Sequence, residues 1–263
     1  MKKIAKIVLP LMLVALLGSC SIGAYKYPHH ERYLTASDFS IDTKITDIEV
    51  NWVNGDVNIS QGTSTTTYVT EDGYGNLPLY YLVEGTTLKI EFVKNGTGNF
   101  KYGNLDKDLN IVLPMNINEQ VGNDLELDIS TVNSNINFAS ATCKDIDVEL
   151  VNGDVKFETV SANEINVEMV NGNVTVNSMS ANEFSIDKVN GDTYINGLIK
   201  PIHIEISSVN GNDTIYVPET LGYKVSFDSI GAFRSDYGDA KRYGDEKVSI
   251  DYEAVNGDLK IKK

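Results

Sequence analysis

The sequence predicts an all-β chain wound as a β-solenoid, parallel β-helix-like, with coils of about 19 residues and irregular capping units at both ends. Three observations carry this. A four-residue phrase, Val-Asn-Gly-Asp or Val-Asn-Gly-Asn, returns at a fixed period. The residues flanking it alternate apolar and polar. The asparagines of the phrase, and the residues two places after them, form columns that only a stack would align.

The first 19 residues read as a lipoprotein signal peptide. Lys2, Lys3 and Lys6 give a basic start, and the apolar run from Ile7 to Leu17 is short for a membrane span. It ends in Leu17-Gly18-Ser19-Cys20, which resembles the lipobox of bacterial lipoproteins and makes Cys20 the lipid-attachment candidate. Residues 20–37 lack a clean period and read as a tether. His29-His30 within them reads as a solvated pair. The domain is expected over 38–263, with regular coils about 121–217. Residues 60–120 predict less regular strands, such as Leu79 to Val83 and Leu88 to Phe92, separated by polar turns such as Asn95-Gly96-Thr97-Gly98.

The array then begins. The phrase starts at Val132, Val151, Val170, Val189 and Val209, in steps of 19, 19, 19 and 20, with outlying copies at Val53 and Val255. Five places before each valine stand Ile48, Leu127, Ile146, Ile165, Phe184, Ile204 and Ile250. Three before stand Val50, Ile129, Val148, Val167, Ile186, Ile206 and Tyr252. A period of two with many β-branched residues is strand chemistry. Each unit therefore reads as strand, Asn-Gly corner, strand, second corner.

An antiparallel meander of hairpins also explains Asn-Gly between strands. The columns favour the solenoid. Asn133, Asn152, Asn171, Asn190 and Asn210 can form a hydrogen-bonded ladder only if coils stack. Two places on, Asn135, Asp154, Asn173, Asp192 and Asn212 alternate, so that no two carboxylates are neighbours in a stack. At the second corner Cys143, Ala162 and Ala181 are small and apolar, so Cys143 reads as a buried packing residue. The corner glycines are expected at positive φ, and Gly172→Val is expected to cost about 1–3 kcal/mol. Residues 218–247 interrupt the array, and a last strand pair from Val248 to Ile261 closes the chain.

The segment from Leu109 to Pro114 (Leu-Asn-Ile-Val-Leu-Pro), the run of corners after it and the closing Val255-Asn256-Gly257-Asp258-Leu259 resemble the DUF4097-type candidate adhesin family of bacterial envelope proteins. The likeness spans roughly residues 40 to 263, although many members carry Ser-Gly-Asp at the corner. It implies a β-solenoid at the cell surface and brings no catalytic motif.

Chemistry is sparse. The sequence lacks a nucleophile elbow, a zinc-protease helix and a phosphate loop. His203 falls on an outward strand position. Arg234 and Arg242 share the irregular segment 233–243, which reads as a capping loop. The net charge of −15 becomes −18 when Lys2, Lys3 and Lys6 leave with the leader, 19 bases against 37 acids. Such a balance excludes nucleic-acid binding through a basic stripe and polybasic attachment to anionic lipid. Outward columns Asp145, Glu164, Glu183 and Glu149, Glu168, Asp187 would stack their carboxylates. Lys144 and Lys188 are expected to ease the repulsion. The second column, Glu149, Glu168 and Asp187, is the candidate for bridging divalent cations such as calcium; no other cofactor is expected. The sequence reading is therefore a non-enzymatic module, lipid-anchored to the outer side of a bacterial membrane, that binds a surface protein or glycan. Its rivals are a carbohydrate-active β-helix lyase or hydrolase and a ligand-free structural or envelope-stress component.

Overall fold

The protein is described by a computed structural model that covers residues 32–73, 78–92, 106–115 and 124–263. The leader 1–19, Cys20, His29-His30 and the turn at 95–98 lie outside the described residues.

Each regular coil has three strands. In one, Asp145–Asn152 leads through the Asn-Gly corner to Val155–Phe157 and then to Val160–Ser161. The next coil lies parallel and in register, with Asp145 opposite Glu164, Val155 opposite Val174 and Val160 opposite Met179. Hairpin neighbours would pair antiparallel, so the parallel ladders exclude the meander. The β-solenoid is the fold.

Coil order departs from sequence order. Asp47–Asn54 pairs in parallel with Glu126–Asn133 on one side and with Thr87–Glu91 on the other. At the far end Ile202–Tyr216 pairs with Val248–Lys262, and Tyr223–Asp228 and Phe233–Ser235 lie beyond it. Both outlying copies of the phrase thus sit inside the stack, one coil from its ends. The irregular segments are outermost. Antiparallel pairs finish the first end, Leu79–Glu84 on Thr87–Glu91 and Thr67–Gly73 on Lys107–Leu113. At the other, Tyr223, Tyr237 and Tyr243 pack together, and the Tyr237 hydroxyl donates to the Val217 carbonyl at 2.7 Å. A parallel stack leaves unpaired backbone at each end, and these segments cover it.

The interior is built by columns. Both predicted apolar columns are buried throughout, as are Val57, Ile136, Val155, Val174 and Leu259 across the coil. Phe138 stacks on Phe157 at 4.7 Å, and Phe157 meets Phe184 edge-on at 6.1 Å. Cys143, Ala162 and Ala181 line the second corner, all buried, and burial holds the Cys143 thiol far above its usual range.

The first corner is held by two polar ladders. Each asparagine Nδ2 donates to the Oδ1 of the asparagine in the preceding coil of the stack. The bonds are 2.9 Å from Asn133→Asn54 through Asn210→Asn190, and 3.5 Å at Asn256→Asn210. All run one way, an arrangement in which each bond polarises the next. In the alternating column, Asn173 donates to Asp154 Oδ1 through its backbone N–H at 2.7 Å and its side chain at 3.2 Å. The Asp192 N–H in turn donates to Asn173 Oδ1 at 2.9 Å. Alternation therefore supplies donors as well as spacing charges.

Gly153, Gly172 and Gly191 hold φ of +137°, +147° and +129°. A Cβ on Gly172 would sit 1.7 Å from the Gly153 carbonyl oxygen of the adjoining coil. Glycine is thus required both by backbone conformation and by the close approach of corner on corner. The expectation of positive φ fails at Gly211 and Gly257, which lie opposite each other within unbroken strands.

Candidate functional site

Outward side chains of the long strands form one broad face. In the register of the stack, Asp47, Glu126, Asp145, Glu164 and Glu183 make one column, and Glu149, Glu168 and Asp187 another. Between them run Glu49, Asp128 and Asp147. The structure therefore brings the sequence-predicted Glu149, Glu168 and Asp187 into a single line. Strand neighbours stand about 4.8 Å apart, where two unit charges repel by about 1 kcal/mol in water. The consequence appears at Glu168, whose carboxyl is pushed above its ordinary range by burial and then by Glu149, Asp187 and Asp147. Asp128 is raised in the same way, by burial first and then by Asp147, Glu49, Glu126 and Asp47.

Cations and amides relieve part of this strain. Lys144 bridges Glu126 and Asp145, and Lys89 reaches Glu49 at 2.9 Å. Asn166 donates to Asp147 at 2.8 Å and to Glu164 at 3.1 Å, which leaves Glu164 half-buried. His203 stands at the end of the acidic column, 3.8 Å from Asp251. Among the described residues, no three histidine, cysteine, aspartate or glutamate side chains converge as a metal-ion cage would require.

Lys188 does not join this face. It points inward, one place before the corner valine, in a column with Trp52, Thr131, Leu150, Met169, Ser208 and Ala254, all buried. Parity explains the correction. The position shares its side of the strand with the two apolar columns, and a lysine there must follow the pleat. Its Nζ meets Asp213 Oδ1 and the Thr193 hydroxyl in the interior, and both charged side chains are fully buried. The Thr193 N–H donates to the same Asp213 oxygen at 2.8 Å. A second buried pair lies near the other end. Lys107 Nζ reaches Glu71 at 2.8 Å and the Phe92 carbonyl at 2.8 Å, and lies over the rings of Trp52 and Phe92 at 5.2 and 4.6 Å. Burial lowers both lysines below their usual range, and the partner carboxylates oppose it.

Sequence reading passed over both pairs. A signal for one existed, since Lys188 and Asp213 are the charged interruptions of two otherwise uncharged inward columns in adjacent coils.

The Toastrack DUF4097 family matches residues 45–263. Among solved structures, a candidate adhesin from Bacteroides fragilis is 15% identical, with 88% of this chain and 97% of that chain covered and a TM-score of 0.50. A candidate cell adhesion protein from Clostridium sporogenes is 18% identical over 86% of this chain and 98% of that one, at a TM-score of 0.34. A candidate lipid-binding protein from Parabacteroides distasonis is 15% identical over 86% and 97%, at 0.48. The Bacteroides fragilis likeness shows a shared fold and nothing further. No protein of curated function matches the chain.

Proposed function

The chain belongs to the Toastrack DUF4097 family, and on that premise we propose that it is a non-enzymatic binding module displayed on the outer side of a bacterial envelope. The observation that carries the reading is the long-strand face, on which the same chemistry repeats coil after coil on a sheet pinned by the asparagine ladder. A repeated, rigid surface suits many weak contacts made at once, whose avidity exceeds that of any single contact. The ligand is a surface protein or glycan.

Attachment through Cys20 completes the proposal. Acylation there would leave only residues 21–31 as the spacer, shorter than the tether expected over 20–37, because Arg32 pairs with Glu84 and Leu34–Ala36 already joins Leu79–Tyr81 as an antiparallel strand of the end unit. Cys20→Ser should release the protein from the membrane fraction and abolish metabolic lipid labelling. Retention of both in the variant would remove the anchor from the account.

The binding reading is tested on glycan arrays and by envelope-fraction pull-down, comparing wild type with the Glu149→Lys/Glu168→Lys variant. Retention by wild type and loss in the variant supports it. Equal retention by the two moves the site off this face. Release of reducing ends from an arrayed glycan would favour the rival, a carbohydrate-active enzyme.

A further inference from the structure

The two buried lysines differ in what surrounds the cation. Lys107 has a carboxylate, a backbone carbonyl and two ring faces, all of which favour its charged form against the effect of burial. Lys188 touches a hydroxyl and one carboxylate oxygen in the apolar interior. Asp213 Oδ2 and the neighbouring Ser208 hydroxyl have no close hydrogen-bond partner, and each interacts only at longer range with the Tyr252 hydroxyl. The Tyr252 hydroxyl stands in the same cluster, its proton held tightly by burial and then by the Asp213 charge. An ion pair in such a place is poorly solvated, and transfer of one proton from amine to acid removes both charges.

We propose that Lys188 and Asp213 join covalently, forming an intramolecular amide that staples the coil of Glu183–Asn190 to the coil of Ile202–Tyr216. The Nζ already meets Oδ1, the oxygen bonded to Cγ. Proton transfer within the pair gives a neutral amine and a neutral acid. The amine lone pair attacks Cγ, and the Nζ–Cγ bond forms. The Thr193 N–H, 2.8 Å from Oδ1, steadies the negative charge that develops on that oxygen. One Cγ–O bond then breaks, and the oxygen leaves as water with two protons that began on the ammonium. The Tyr252 hydroxyl relays a proton to the leaving oxygen. Ammonium and carboxylate thus become amide and water, with no oxidant, reductant or cofactor. Fixed neighbours of this kind react at high effective concentration, and the product removes two charges from the core.

The experiment is intact mass spectrometry of the purified, denatured wild-type protein, followed by tryptic mapping. The expected mass is that of the processed chain less one water. Cleavage after Lys188 should be lost, and one linked peptide should contain Lys188 and Asp213. Lys188→Met should carry the full mass. Asp213→Asn should still link, losing ammonia in place of water and giving the identical product. Tyr252→Phe should link more slowly after refolding. Full mass with normal cleavage at Lys188 in the wild type overturns the proposal, whatever the variants do. So does a water loss that maps to a succinimide at a corner aspartate, or to Lys107 and Glu71.

Discussion

Replacing Gly172 by alanine isolates the cost of stacking one corner on another. The residue holds φ +147°, and an added Cβ would lie 1.7 Å from the Gly153 oxygen, 2.7 Å from its carbon and 2.8 Å from Met169 Cε. The first two obstacles are backbone, so neither can rotate away. Strain at such a φ costs about 1–3 kcal/mol. Relief of the clash requires the corners to part, which endangers the N–H of Gly153 to the Asn171 carbonyl and that of Gly172 to the Asn190 carbonyl, each 3.1 Å. At about 1 kcal/mol per bond, the total is about 3–5 kcal/mol. This exceeds the cost expected from φ alone. Gly85 is the control. It also has a left-handed φ, +65°, but a Cβ there meets nothing within 4 Å. Gly85→Ala should therefore cost only about 1 kcal/mol. Urea unfolding of the two variants reads the difference directly. Equal losses of stability would refute the claim that corner carbonyls occupy the Cβ site.

Further predictions follow from charge. Glu168 has its carboxyl raised in the folded state, so it lends stability below its unfolded pKa and withdraws it as pH rises through the folded value. Glu168→Gln should raise the melting temperature at pH 7 by an amount worth less than about 1 kcal/mol, and the gain should vanish near pH 3. Lys107→Met leaves Glu71 almost fully buried without its partner and should cost about 3–5 kcal/mol in urea titration, more than Lys107→Met with Glu71→Leu. Glu149, Glu168 and Asp187 stand in line without converging. Calcium chloride and sodium chloride of equal ionic strength should then raise the melting temperature alike. An excess for calcium that Glu168→Gln abolishes would establish bridging.

Inward columns were legible because the same residue classes recur at the same offset. Ile146, Ile165 and Phe184 could not alternate with polar neighbours in seven copies without sharing a face. The asparagine ladder was legible for the same reason. Coil order was not. Turn chemistry marks where the chain bends, but nothing local to Asp47–Asn54 says that its neighbour is Glu126–Asn133, with the strands Thr67–Gly73, Leu79–Glu84, Thr87–Glu91 and Lys107–Leu113 on the outer side. The two ends invert the order in the same manner, and only long-range pairing records it. Lys188 was misplaced because its residue class outweighed its parity. Its partner Asp213 falls in a column of apolar residues and threonine, where a lone carboxylate has no meaning until the lysine of the adjacent coil is turned inward beside it.

The central claim is a parallel stack in which the coil of residues 47–61 lies directly against the coil of residues 126–138. Disulfide trapping tests it. Asn58 and Asn137 are register partners, 79 residues apart in sequence, with side chains bonded at 3.0 Å. At parallel-strand spacing their Cα atoms fall within disulfide range, whereas Asn58 and Lys156 stand two strands apart, about 9–10 Å. Oxidation of Asn58→Cys/Asn137→Cys should give a quantitative crosslink that shifts migration on a denaturing gel. Asn58→Cys/Lys156→Cys should remain reduced. A crosslink in the second pair and none in the first would contradict the stack.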